Sequence, residues 1–317
     1  MRHLKYSLML LGLWPLNALA EAPVVITDIP VVQSLVAEVM GDLGAPDALV
    51  TGGADAHAYQ LRPSQAQAVA KADLVFWVGP EMTPWFDRVL QANPDAKAVG
   101  LLAAKGTILR HYDDHPDDDH SDGHGDDHGH GDDHGDGHGD GHGHEGADPH
   151  AWLDPKNAAL WLGVIAQALA SADPEHAQIY AQNAKDAQSR VAALGAELDR
   201  QLSDAGTRAI VVGHDAYGYF AQRFGLRIAA SIEAGDASEP GAARLAEIIG
   251  ILAAEDIRCV FPEAGQDPKR AGVLVEGSKA RLGAALDPEG RALDPGPGLY
   301  ASLMRNLAEA IAACQAL

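Results

Sequence analysis

Short apolar runs alternate along the chain with longer stretches in which apolar positions recur at helical spacing. Val24 to Thr27 is β-branched, Pro30 to Met40 has helical periodicity, and Gly41 to Pro46 breaks it. Ala48 to Thr51 predicts a weak strand, Pro63 to Ala72 an Ala/Gln-rich helix and Leu74 to Val78 a fully buried strand. The pattern returns later in the chain. Ala209 to Val212 reads as a buried strand ending at Gly213. Ser238 opens a helix, with Glu239 and Pro240 in its first turn, that runs to about Glu255. Ile257 to Phe261 is the next strand, and Leu299 to Ala313 is an amphipathic terminal helix. Buried strands interleaved with helices predict parallel sheets covered on both faces.

Between the two blocks the chain is helical. Asp154-Pro155 supplies an N-cap and first-turn pair for a helix through Ala170. Asp173-Pro174 starts another, and Glu175 to Leu202 then runs with Gly195 as its one breaker. At 1.5 Å per residue that helix is roughly 40 Å long, enough to span a domain. The expected fold class is α/β: two βα lobes with parallel-rich sheets, joined by a long rigid helix. The corresponding boundaries are 21–155 for the first lobe, 156–205 for the connecting helices and 206–317 for the second lobe.

Two segments stand outside this pattern. Arg2, His3 and Lys5 precede an apolar run from Tyr6 to Leu19, and Ala18-Leu19-Ala20 places small residues at a cleavage position. Residues 1–20 therefore read as a secretory signal peptide, and no Cys adjoins the cleavage point to carry a lipid. The run is short for a membrane span and is interrupted by Pro15. The second segment, the loop 111–145 within the first lobe, is rich in Asp, His and Gly. It holds 13 acidic residues, ten of the 15 histidines and no Lys or Arg. With no large apolar residue from Asp113 to Glu145 it cannot bury a core, and it is expected to be disordered without metal. It supplies much of the net charge of −22, which argues against nucleic acid as a partner. Cys259 and Cys314 are the two cysteines, and in an oxidising compartment an isolated pair reads most simply as a disulfide.

Outside the leader and the loop four histidines remain: His57, His150, His176 and His214. His176, in the first turn of a helix, reads as solvated. Each of the other three sits at a junction: His57 between a strand and a helix, His150 where a helix begins, His214 just beyond a strand. In open α/β sheets ligands gather outside the carboxyl ends of the strands. Imidazoles delivered there from both halves of the chain could converge on one ion. Three neutral imidazoles suit Zn²⁺ at tetrahedral geometry, with a carboxylate or water completing the shell. Because the ligands must be deprotonated, affinity is expected to fall below about pH 6.5.

The stretches GADAHAYQLRPSQAQAVAKADLVFWVGPEM, DPHAWLDPKNA, VVGHDAYGYF, CVFPE and LDPEG, in this order, resemble the motifs of the metal-binding solute-binding proteins of ABC transporters. More narrowly they resemble the zinc-specific, ZnuA-type periplasmic proteins, over about Val24 to Cys314. The resemblance implies the metal-type periplasmic solute-binding fold with Zn²⁺ in the interlobe cleft. It further implies delivery to a membrane permease served by a cytoplasmic ATPase, a periplasmic location and a monomer. His57, His150 and His214 match the family's three zinc-binding histidines, and Cys259 with Cys314 matches a disulfide found in some members. In manganese-binding relatives the third position is usually a carboxylate, so His214 favours zinc. Where a relative can carry a Glu ligand before the first histidine, this chain has Ala56. The fourth ligand is then Asp287, in the LDPEG motif, or water, with Glu263 ranked behind.

Rival readings have specific weaknesses. There is no H-E-x-x-H, no G-x-S-x-G elbow and no phosphate-binding glycine loop, so a secreted zinc hydrolase is disfavoured and no catalytic residue is assigned. A carrier of Mn²⁺, Cu²⁺ or Ni²⁺ is the nearer alternative, because Cu²⁺ and Ni²⁺ outcompete or rival Zn²⁺ at imidazoles on intrinsic affinity and selectivity must come from geometry and supply.

Overall fold

The computed structural model describes residues 21–112, 146–203, 208–233 and 240–316. The leader, the segment from Asp113 to Glu145 and the helix start expected at Ser238 lie outside the described residues.

The first lobe runs β1 (Val25–Thr27), α1 (Pro30–Met40), β2 (Asp47–Ala48), α2 (Pro63–Val69), β3 (Leu74–Trp77), α3 (Pro84–Gln91) and β4 (Ala98–Gly100). Its sheet is parallel, in the order β2-β1-β3-β4. Proline at the first helical position starts α1, α2 and α3, where its fixed φ helps and its missing N–H costs nothing. Two helices follow, α4 (Pro155–Ala172) and α5 (Ala177–Ser203). Asp154 caps α4 by accepting the N–H of Lys156. The second lobe is β5 (Ile210–His214), α6 (Gly218–Phe224), β6 (Ile228–Glu233), α7 (Ala242–Ala254), β7 (Cys259–Phe261), α8 (Lys269–Val275), β8 (Arg281–Leu282) and α9 (Leu299–Gln315). Its sheet repeats the arrangement, β6-β5-β7-β8, again parallel.

The two lobes share one core. The face of the second sheet carrying Ile210, Val212 and Phe261 joins Leu198, Leu202, Phe220, Leu307 and Ile311 in a cluster continuous with the first lobe. The opposite face, with Val211, Ile232 and Val260, packs on Ile248, Leu252 and Leu274 as a smaller separate cluster. Adjacent strand residues thus go to opposite sides, as the period of two requires.

The 27-residue α5 is the expected connecting helix. A polar corner fixes its start: Asp173 Oδ2 lies 2.7 Å from Nδ1 of His176 and accepts the Tyr180 hydroxyl at 2.8 Å. His176 is therefore not the solvated residue expected of a first turn. Its side chain is 16% exposed, because Asp173 draws it in. The second strut, α9, was legible as a helix but not as a bridge. Its beginning is held to the first lobe, where Ser34 Oγ accepts the N–H of Tyr300 and the Tyr300 hydroxyl donates to the carbonyl of Trp152. Its end is bonded to the second sheet through the disulfide Cys259–Cys314, with Cα atoms 6.2 Å apart.

Asp28, just past β1, is fully buried. Its Oδ1 accepts the Ile29 N–H, and its Oδ2 accepts from the Val78 amide and the Thr83 hydroxyl, joining the segments that follow β1 and β3. Burial pushes this carboxyl up to about 7, against the pull of those donors. A folded-state value above the unfolded one means that the folded protein holds the extra proton. The resulting stabilisation is full below about pH 4 and is lost as pH rises through about 7. Urea unfolding of the metal-free protein should therefore show wild type losing roughly 2 kcal/mol or more relative to Asp28→Asn between pH 5 and 8. A pH-independent difference would mean that the three donors keep the carboxylate ionised throughout.

Candidate metal centre

In both lobes the segments that carry polar side chains leave the carboxyl ends of the strands. His57 lies in the connection from β2 to α2, after a turn whose Gly52 and Gly53 have φ of +69° and +77°. Such values suit glycine, which has no Cβ to clash. Asp55 Oδ1 caps the turn by accepting the His57 N–H at 2.9 Å. Ala56, where a carboxylate could have stood, is fully buried, and its carbonyl accepts Nε1–H of Trp85 at 2.7 Å.

His150 precedes a single 3₁₀ turn, Ala151–Leu153, and is completely buried. Asp148 Oδ1 receives both its backbone N–H, at 3.0 Å, and its ring Nδ1, at 2.9 Å. Since an ionised carboxylate only accepts, the proton sits on Nδ1 and the lone pair on Nε2. That Nε2 is buried and has no hydrogen-bond partner among the described residues. A buried acceptor left without a partner costs about 1–3 kcal/mol unless something else binds it.

His214 ends β5, one step inside the strand rather than beyond it. Its Nδ1 faces both oxygens of Glu263, at 3.2 and 3.3 Å, and the Tyr217 hydroxyl donates to the same carboxylate at 3.4 Å. Gly213 is required here, since a Cβ on it would lie 2.8 Å from the Glu263 amide nitrogen. Two of the three rings are thus held by carboxylates at Nδ1, the usual arrangement behind metal-binding histidines, and His150 turns its Nε2 away from that partner.

The three rings meet. Their centroids are 5.5 Å apart for His57 and His150, 5.8 Å for His57 and His214, and 5.1 Å for His150 and His214. One nitrogen from each lies within 4.8 Å of the others. Zn–N bonds of about 2.0–2.1 Å set tetrahedral N–N spacings near 3.3 Å, so closing on an ion requires movements of about 1.5 Å or less.

The candidate carboxylates do not join this group. Asp287 accepts backbone N–H groups on both oxygens, from Arg291 and Ala292 at 2.9 Å, and so closes its own turn. Glu263 faces the Nδ1 side of His214. Acidity nonetheless dominates the surroundings: the buried Tyr217 hydroxyl titrates far above its usual range through desolvation and the nearby charges of Glu263, Asp287 and Glu289. Glu289 is fully buried, and burial raises its carboxyl although Arg291 pairs with it. Sequence reasoning missed Asp148, Glu289 and Arg291. The D-x-H spacing of Asp148 and His150 was a usable signal for the first, since an Asp two residues ahead commonly accepts the backbone N–H. The other two are brought in by the loop after β8, which periodicity does not reveal.

The family model of the periplasmic zinc-uptake complex component A, ZnuA, matches residues 25–314. The chain belongs to this family. It is 53% identical over 310 residues to the high-affinity zinc uptake system protein ZnuA of Paracoccus denitrificans, covering 96% of this chain and 95% of that one. It is 40% identical over 322 residues to the Brucella abortus protein of the same name, covering 97% and 96%. Among solved structures, a ZnuA crystal structure superposes with a TM-score of 0.74 over 93% of this chain and 99% of the other, at 24% identity, which speaks to fold alone. The family is one of transport components rather than enzymes.

Proposed function

We propose that this chain captures Zn²⁺ between its two lobes with His57, His150 and His214 and delivers it to the permease of a zinc ABC importer powered by a cytoplasmic ATPase. The observation that carries the reading is the convergence of three imidazoles, from both lobes, with the buried Nε2 of His150 turned away from its carboxylate partner. Three imidazole nitrogens, two of them on rings held by carboxylates, favour a divalent ion of borderline softness. Water fills the fourth position in this proposal, since Ala56 has no donor and both Asp287 oxygens serve backbone amides. The leader 1–20 exports the chain to the periplasm, where it works as a monomer. The acidic, histidine-rich segment adds weak sites that gather zinc for the cleft.

Calorimetric competition among Zn²⁺, Mn²⁺, Cu²⁺ and Ni²⁺ tests this, on mature protein with and without residues 113–145. The expected result is one tight Zn²⁺ per chain in both forms, not displaced by equimolar Mn²⁺. Tight binding that vanishes with the segment, or that prefers Mn²⁺, would overturn the assignment of the cleft.

A further inference from the structure

A guanidinium stands among the carboxylates around this site. Arg291, 12% exposed on its side chain, donates to Oε1 of the fully buried Glu289. The same Nη2 lies 3.5 Å from Oδ1 of Asp55 and 4.0 Å from Oε1 of Glu263. Each of those carboxylates serves a different histidine. Asp55 Oδ1 accepts the His57 N–H at 2.9 Å, and Glu263 faces His214 Nδ1. The first lies in the first lobe and the second in the second lobe, so one side chain ties together the loops that present ligands from both.

Resting on the zinc-binding reading, we propose that Arg291 is a positioning residue, an interlobe latch that holds the His57 loop over the bound ion and thereby sets the rate of zinc release. His57 is the most exposed of the three histidines and follows a turn with two glycines at positive φ. For an ion to leave, this is the loop that must lift, and lifting it separates Asp55 from Arg291. A bare cation here would repel the incoming metal. Arg291 is already neutralised by Glu289, which leaves its mechanical effect as the larger one. The two effects have opposite signs: losing a repulsive charge tightens binding, whereas losing a latch speeds release.

Zinc-loaded mature protein, mixed rapidly with excess chelator, reads the release rate. Arg291→Met and Asp55→Asn should each accelerate it about tenfold, the scale of one charge-assisted contact. Asn at 55 keeps an oxygen for the His57 N–H and loses only the charge toward Arg291. The double variant should release no faster than either single one, because both break the same contact. Arg291→Lys should restore part of the slow release, and association rates should change less than about threefold. If Arg291→Met releases zinc at the wild-type rate or more slowly, or if the two effects add, the latch is refuted. Should Arg291→Met fail to fold, Asp55→Asn, at a side chain 47% exposed, decides alone. Wild type that takes up no tight zinc would instead bring down the binding reading itself.

Discussion

Replacing His150 with Ala is expected to weaken zinc binding by about a hundredfold to five-thousandfold while leaving the metal-free protein about as stable as wild type. The first half follows from sharing: on the scale of structural zinc sites, about 10–16 kcal/mol, one of three protein ligands carries roughly 3–5 kcal/mol. The second half follows from the orphaned Nε2. His150 is completely buried, and its outward nitrogen has no partner among the described residues. Without metal that is a desolvated acceptor with nothing to accept, a cost that alanine removes, offsetting the small cavity it opens and the donor it takes from Asp148. Zinc, by contrast, should raise the wild-type melting temperature steeply and the variant's little, since a ligand stabilises in proportion to its affinity for the folded state. Chelator competition and thermal melts with and without zinc read both halves. A variant that binds within tenfold of wild type would remove His150 from the coordination shell. Asp148→Asn should fall between, at about 10–100-fold weaker binding, because it disturbs tautomer and ring orientation only.

The second large effect is on stability. Cys259 and Cys314 close a loop of 55 residues, and on the chain-entropy account opening it costs about 4 kcal/mol. The double replacement Cys259→Ala/Cys314→Ala should lower the melting temperature by roughly 10 °C. The loss should be felt by the whole molecule, because the core that receives α9 runs unbroken from the first lobe into one face of the second sheet. Calorimetry should show a single transition in both proteins, at a lower temperature in the variant. Two separated transitions in the variant would mean that the bridge, rather than the shared core, makes the lobes unfold together.

How much of this was legible in the sequence depends on range. Pro30 to Met40 was bounded correctly because proline and glycine punctuate both ends. The strand at Asp47–Ala48 was misplaced by a residue or more, since two paired residues carry almost no periodic signal. Helix α3 and helix α6 went unpredicted for the same reason: each is short, and packing rather than propensity sustains it. The histidines were identifiable as candidates because each lies in, or at the edge of, a strand-to-helix connection. Their partners were not. Arg291 meets Asp55 across 236 residues of chain, a pairing that exists only once both sheets are built.

The matching strand orders have a consequence for stoichiometry. Thr27 pairs with Phe76 in the first sheet as Val212 pairs with Phe261 in the second, so Ile29 and Val78 occupy the places of His214 and Glu263. In the first lobe the amides at those places are consumed by the Asp28 carboxylate, which seals the two strand ends. In the second lobe the same places hold an imidazole and the carboxylate that steadies it. A frame built twice therefore offers, among the described residues, a single cluster of imidazoles, and on the proposed reading its folded part takes one ion per journey.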